Sequence, residues 1–109
     1  MYLILNKKKL EIVELKTSKE KFKSLKFILE PIDKVYRFTN KKILSTYFFC
    51  QNIDVVTTDS KDFIIDVYPK VRSEKILFLN RKNKYTYLLP LNSIDNLKSE
   101  KLEIKKGTN

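Results

Sequence analysis

Apolar residues in this chain come in short stretches cut by polar turn clusters, and no stretch exceeds five consecutive apolar residues (1–5). That interruption restricts the fold most. An amphipathic helix needs apolar positions recurring every three or four residues over ten or more, whereas short runs of β-branched and aromatic residues bounded by turn residues read as strands. Such runs occupy residues 2–5, 10–15, 35–39, 43–49, 53–58, 63–68, 76–79, 85–89 and 102–104. Asn6 with Lys7, Lys8 and Lys9 turns the first into the second, and Asn40-Lys41-Lys42 makes a later turn. Asp59-Ser60-Lys61-Asp62 and Asn80-Arg81-Lys82-Asn83-Lys84 have the composition of hairpin loops, so 53–58 is expected to pair with 63–68 and 76–79 with 85–89.

One segment breaks the pattern. Thr17 and Glu20 have the spacing of a capping box, and Phe22, Leu25 and Leu29 follow at i, i+3, i+7 with Lys19, Lys23 and Glu30 off that face. This predicts a helix near residues 18–29, stopped by Pro31. Residues 93–97 read as one short helical turn. About eight short strands with one helix predict a mainly β (α+β) fold, a small closed or half-closed β-barrel forming a single domain over 1–109. At this length a compact fold hides roughly two-thirds of its unfolded surface, enough for one core. Phe22, Leu25, Leu29, Phe38, Ile53, Val55, Ile65, Phe78, Leu89 and Ile104 are expected to share that core.

The chain has no His and one Cys, which removes imidazole catalysis, His-containing or four-cysteine zinc sites and disulfide frameworks. No catalytic residue, metal site or cofactor is expected. Cys50 has no activating charge beside it and reads as a packed thiol. The run 1–5 is too short to span a membrane or to serve as a signal peptide, and a lone Cys suits a reducing compartment, so a cytoplasmic protein is expected.

The formal charge is +10, from 23 basic and 13 acidic side chains. Lys, Asn, Ile, Phe and Tyr, all encoded by A/T-rich codons, make up 52 of 109 residues, so base composition accounts for part of the lysine excess. Only three basic residues are Arg, the side chain suited to reading guanine edges, which argues against sequence-specific DNA reading. The turn lysines can still form a basic rim for non-specific contact with nucleic acid: Lys7, Lys8, Lys9, Lys41, Lys42, Arg81, Lys82 and Lys84.

Two further features invite a site. Thr46, Tyr47, Phe48 and Phe49 put aromatic rings on both faces of one strand, one set for the core and the other for cover or a partner groove. Asp54 lies between Ile53 and Val55 in a strand that otherwise reads as buried, so its carboxylate either bonds backbone or hydroxyl donors, with Ser45, Thr46 and Asn52 nearest in sequence, or marks a groove. Asp59 and Asp62 lack the ligand count and glycine of a calcium loop and read as turn chemistry.

Several of these segments, in this order, resemble the small prokaryotic family called domain of unknown function 192. Its Thr-x-x-Glu-(Arg/Lys)-x-x-Gly-Leu-Met segment is similar to Thr17-Ser18-Lys19-Glu20-Lys21-Phe22-Lys23-Ser24-Leu25-Lys26. Its Thr-Phe-(Trp/Phe)-Met and Pro-(Leu/Ile)-Asp-Val-(Ile/Val) segments resemble Thr46-Tyr47-Phe48-Phe49 and Asn52-Ile53-Asp54-Val55-Val56, with Asp59 matching an acidic turn residue. Tyr-x-Leu-Glu-Leu-Pro looks like Tyr85-Thr86-Tyr87-Leu88-Leu89-Pro90 without the Glu. Ser24, Lys26, Phe49 and Asn52 depart from the family's Gly, Met, Met and Pro. The resemblance implies a divergent member with a small, mostly β fold and no established activity or cofactor.

Two functional expectations from different classes follow. The first is a non-enzymatic accessory or protein-interaction domain with an unidentified protein partner, using Thr46, Tyr47, Phe48, Phe49 and Asp54. The alternative is a single-stranded nucleic-acid binder using the turn lysines and exposed aromatics.

Overall fold

The structure, a computed structural model, describes residues 1–5, 8–15, 34–40, 43–45, 52–72, 76–79, 82–94, 97 and 100–105. Among the described residues, nine strands follow in chain order: β1 Tyr2–Leu5, β2 Lys8–Leu15, β3 Val35–Thr39, β4 Ile43–Ser45, β5 Ile53–Thr58, β6 Ile64–Val71, β7 Ile76–Phe78, β8 Tyr85–Leu89 and β9 Glu103–Lys105. The expected helix at 18–29, with Thr17, Phe22, Leu25 and Leu29, lies outside the described residues.

Seven strands form one sheet in the order β6-β5-β8-β3-β2-β1-β9, and β4 pairs with β7 in a separate ribbon. Neighbours in the sheet run antiparallel except β2 and β3, which are parallel. Three pairings are nested, β5 with β6, β4 with β7 and β3 with β8, as if one long hairpin had been rolled up in jelly-roll fashion. The sheet curls until its two edges meet. Phe63 bridges Lys101, the Ile64 amide donates to the Glu100 carbonyl at 2.7 Å, and the Leu102 amide donates to the Asp62 carbonyl at 2.9 Å. The result is a half-barrel, mainly β as the sequence pattern predicts, sewn shut along one seam.

Alternation along each strand sorts the apolar residues onto two faces. Leu3, Leu5, Ile12, Val35, Val56, Tyr87, Leu89 and Leu102 meet inside the curl, with Ile64 and Ile104 packed against them. Phe38, Ile53, Val55, Val71, Leu79 and Leu88 form a second cluster on the other face, which Leu77 of the ribbon helps to cover. The residues expected to share one core are therefore divided. Phe38, Ile53 and Val55 lie in one cluster, Leu89 and Ile104 in the other, and Ile65 is half-buried.

Two expectations fail for one reason. β7 does not pair with β8, because β8 is already flanked by β3 and β5 and β7 is taken by β4. Phe78, expected in the core, is 77% exposed, while Leu77 and Leu79 on either side point inward. Ile76-Leu77-Phe78-Leu79 is apolar throughout, so its phase is set by the partner strand, and a one-residue difference in phase exchanges the faces. The pairing of β5 with β6 through the 59–62 turn is as expected. At 93–97 the described residues show a single tight turn, the Leu97 amide donating to the Ile94 carbonyl at 3.0 Å.

Candidate functional site

The interior has a polar end built from one row of residues. Glu14 of β2 is registered opposite Arg37 of β3, Arg37 opposite Tyr87 of β8, and Tyr87 opposite Val56 of β5. Neighbours in register point to the same face, so an acid, a guanidinium and a phenol stand side by side. Arg37 ion-pairs with Glu14, and its Nη1 donates to the Tyr87 hydroxyl at 3.4 Å. That hydroxyl in turn donates to Asp62 Oδ1 at 2.6 Å, reaching the turn beside the seam. The Arg37 guanidinium also lies 4.3 Å from the centre of the Tyr85 ring and 5.9 Å from that of Tyr87, a stacked arrangement that favours a cation.

These contacts decide what the row can do. Burial raises the Tyr87 pKa far above its ordinary value and the hydrogen bond to Asp62 raises it further, with Arg37 opposing. The phenol therefore stays protonated and is a poor general base. Glu14, Arg37, Tyr87 and Asp62 engage one another, and these contacts close the polar end of the core. Among the described residues, the Arg37 Nε has no hydrogen-bond partner, and no group of three or more His, Cys, Asp or Glu side chains comes together to hold a metal ion.

Asp54 is 1% exposed and uses both carboxylate oxygens. Oδ1 accepts from the Lys70 amide at 3.0 Å and Oδ2 from the Ile94 amide at 2.9 Å, 16 and 40 residues away in sequence. The Lys70 contact falls where β6 carries an extra residue against β5, and Lys70 has φ of 53°, a left-handed conformation unfavourable for a side chain with a Cβ. The carboxylate thus pins a bulge and the segment after β8. It acts as a staple, and its donors among the described residues are backbone amides distant in sequence. Asp59 serves its own turn, Oδ1 accepting from the Lys61 and Phe63 amides at 2.8 and 3.0 Å.

Of the other sequence candidates, Thr46, Tyr47, Phe48, Phe49, Lys7, Lys41, Lys42 and Arg81 lie outside the described residues, as does Cys50. Lys8 and Lys9 begin β2, and Lys9 is exposed. Lys82 is exposed and Lys84 half-buried, just before β8. The register puts the start of β8 beside the end of β3, level with the end of β2, so Lys9 is some six residues, about 20 Å, from that end. These described lysines therefore occupy opposite ends of the strands and do not form one basic rim.

A feature not anticipated lies at the seam. Phe63 is 46% exposed and walls a groove of about 560 Å³ with Ile64, Val67, Ile94, Leu97 and Glu100. The Lys101 ammonium sits 5.4 Å from the ring centre. Lys101 and Lys61 also line a neighbouring cleft with Asp62, Leu102, Glu103 and Ile104. The sequence signal for this feature was weak, a single Phe after a hairpin turn.

No protein-family model matches the chain. Over 60 residues, 55% of the chain, it is 37% identical to a protein of Acanthamoeba polyphaga mimivirus named "putative replication origin-binding protein", and this stretch is only 8% of that relative. Two solved structures share the fold. One is a putative transcription regulator from Sinorhizobium meliloti 1021, with a TM-score of 0.74 and 13% identity, covering 94% of this chain and 89% of that one. The other is a protein of unknown function from Novosphingobium aromaticivorans, with a TM-score of 0.72 and 11% identity, covering 94% and 82%. At such identities the likeness concerns fold alone. Among the described residues, no helix is long and apolar enough to cross a membrane.

Proposed function

We propose that the chain is a small, non-catalytic accessory domain that binds nucleic acid, with single strands preferred and little sequence reading. The observation that carries this reading is the 37% identity, over 60 residues, to a relative named "putative replication origin-binding protein", in a chain of charge +10. The geometry supports it in two ways. Lys9, Lys61, Lys70, Arg72, Lys82 and Lys101 are exposed, and the half-buried Arg37 is paired with Glu14. The polar interior is committed to internal bonds, which favours a surface function over a reaction. A cytoplasmic setting belongs to the same proposal, as does divergent membership of domain of unknown function 192, which assigns no activity.

The protein-interaction reading is second, favoured by Phe78, a ring 77% exposed at the end of the ribbon. A salt titration separates the two. Single-stranded oligonucleotide binding that persists at about 150 mM salt, with a linear dependence of log affinity on log salt, is the expected result. Loss of binding below that concentration would reduce the charge to bulk attraction and return the protein-partner reading to first place.

A further inference from the structure

Resting on the nucleic-acid reading, the seam supplies a particular contact. The Phe63 backbone is held on both sides: its carbonyl accepts from the Asp59 amide at 3.0 Å, its amide donates to the Asp59 side-chain Oδ1, and it bridges Lys101 across the seam. A large apolar ring kept nearly half exposed on so fixed a backbone is already in place for a ligand, so little ordering is needed on binding. On one side the ring walls the apolar groove of Ile64, Val67, Ile94 and Leu97. The cleft that holds Lys61 and Lys101 lies next to it.

We propose that Phe63 is a stacking platform for a base of single-stranded nucleic acid, the base entering the groove while Lys101 and Lys61 meet the flanking phosphates. Stacking needs an exposed π-face and tolerates any base, and adjacent ammonium groups supply the attraction that tracks a backbone. Glu100 at the groove disfavours a phosphate there and suits the amino edge of a cytosine. An uncharged peptide segment would use the groove but not the two cations, and the chain's charge of +10 selects the polyanion.

The test is fluorescence anisotropy at about 150 mM salt, with a labelled oligo-dC of about twelve nucleotides as probe. Phe63→Ala should weaken binding about tenfold with the salt slope unchanged, and Phe63→Tyr should restore it. Lys101→Ala should lower the salt slope by about one. Ultraviolet cross-linking of the unaltered chain to the same probe should place the adduct at Phe63, a readout independent of how any variant folds. Strong wild-type binding with Phe63→Ala within about twofold of it, or an adduct mapped away from residues 61–67, overturns the platform and leaves the general reading standing. Absence of wild-type binding at this salt overturns the general reading itself.

Discussion

Asp54 and Asp62 both bring a carboxylate to the enclosed side of the sheet, yet they are satisfied by different kinds of partner. Asp54 accepts from two backbone amides, at Lys70 and Ile94, groups that nearly every residue type carries. Asp62 accepts from the Tyr87 hydroxyl, which also accepts from Arg37, itself paired with Glu14. The first arrangement depends on one side chain and on chain geometry. The second depends on four side chains from four segments. A carboxylate held by amides should fail when its own acceptors are changed, whereas a side-chain network should show non-additive losses shared among its members.

The sharpest way to break the contrast is Asp54→Ala, which leaves two amides without their acceptor and removes support from the left-handed Lys70. A loss of about 3–4 kcal/mol in chemical denaturation is expected, from about 1–3 kcal/mol for each unsatisfied group. Asp54→Asn keeps one acceptor and turns a donor toward the other amide, so its expected cost is smaller, about 1–3 kcal/mol. Wild-type stability in Asp54→Asn together with lost binding to a captured protein partner would move Asp54 from staple to groove.

Next comes Arg37→Ala, which leaves Glu14 facing the interior and withdraws a cation from the Tyr85 and Tyr87 rings. Glu14 keeps some solvent, so the loss belongs near the low end for a broken buried pair, about 3 kcal/mol. Pairing Arg37→Ala with Glu14→Gln in a double-mutant cycle should recover a favourable coupling. Additive losses would show that the row is four independent contacts.

The smallest effect is expected for Tyr87→Phe, about 1 kcal/mol near neutral pH. Its pH dependence tests the burial of the phenol. Because folding raises the Tyr87 pKa above the ordinary value of about 10, its stabilising contribution is fully present below pH about 10 and is lost as pH rises further. The stability difference between wild type and Tyr87→Phe should therefore be flat below that point and shrink above it. A difference independent of pH through the alkaline range would mean that the hydroxyl reaches solvent.

Local pattern carried much of the strand layout. β1, β3, β5 and β8 begin and end where runs such as Val35–Thr39 and Tyr85–Leu89 begin and end, because alternation and turn residues act over a few positions. β2 starts two residues earlier than its apolar run, since Lys8 and Lys9 pair with Leu5 and Ile4 and backbone pairing does not require apolar side chains. The candidate site was less legible. Arg37 shares its strand phase with the fully buried Val35, a signal of an interior charge, but nothing in the order of residues shows that Glu14 and Tyr87 stand beside it.

By itself, the sequence determined a mainly β chain of short strands, its turn at 59–62, its high positive charge, and an acid at position 54 that had to find donors. The tertiary structure alone decided which strands became neighbours, and hence that β7 turned Phe78 outward, that Asp54 found Lys70 and Ile94, and that Phe63 met Lys101 across the seam. The physical reason is range. Propensity, alternation and turn chemistry act over a few residues, whereas strand order, register and closure are settled by which apolar faces can be buried together and which distant amides then lie within reach.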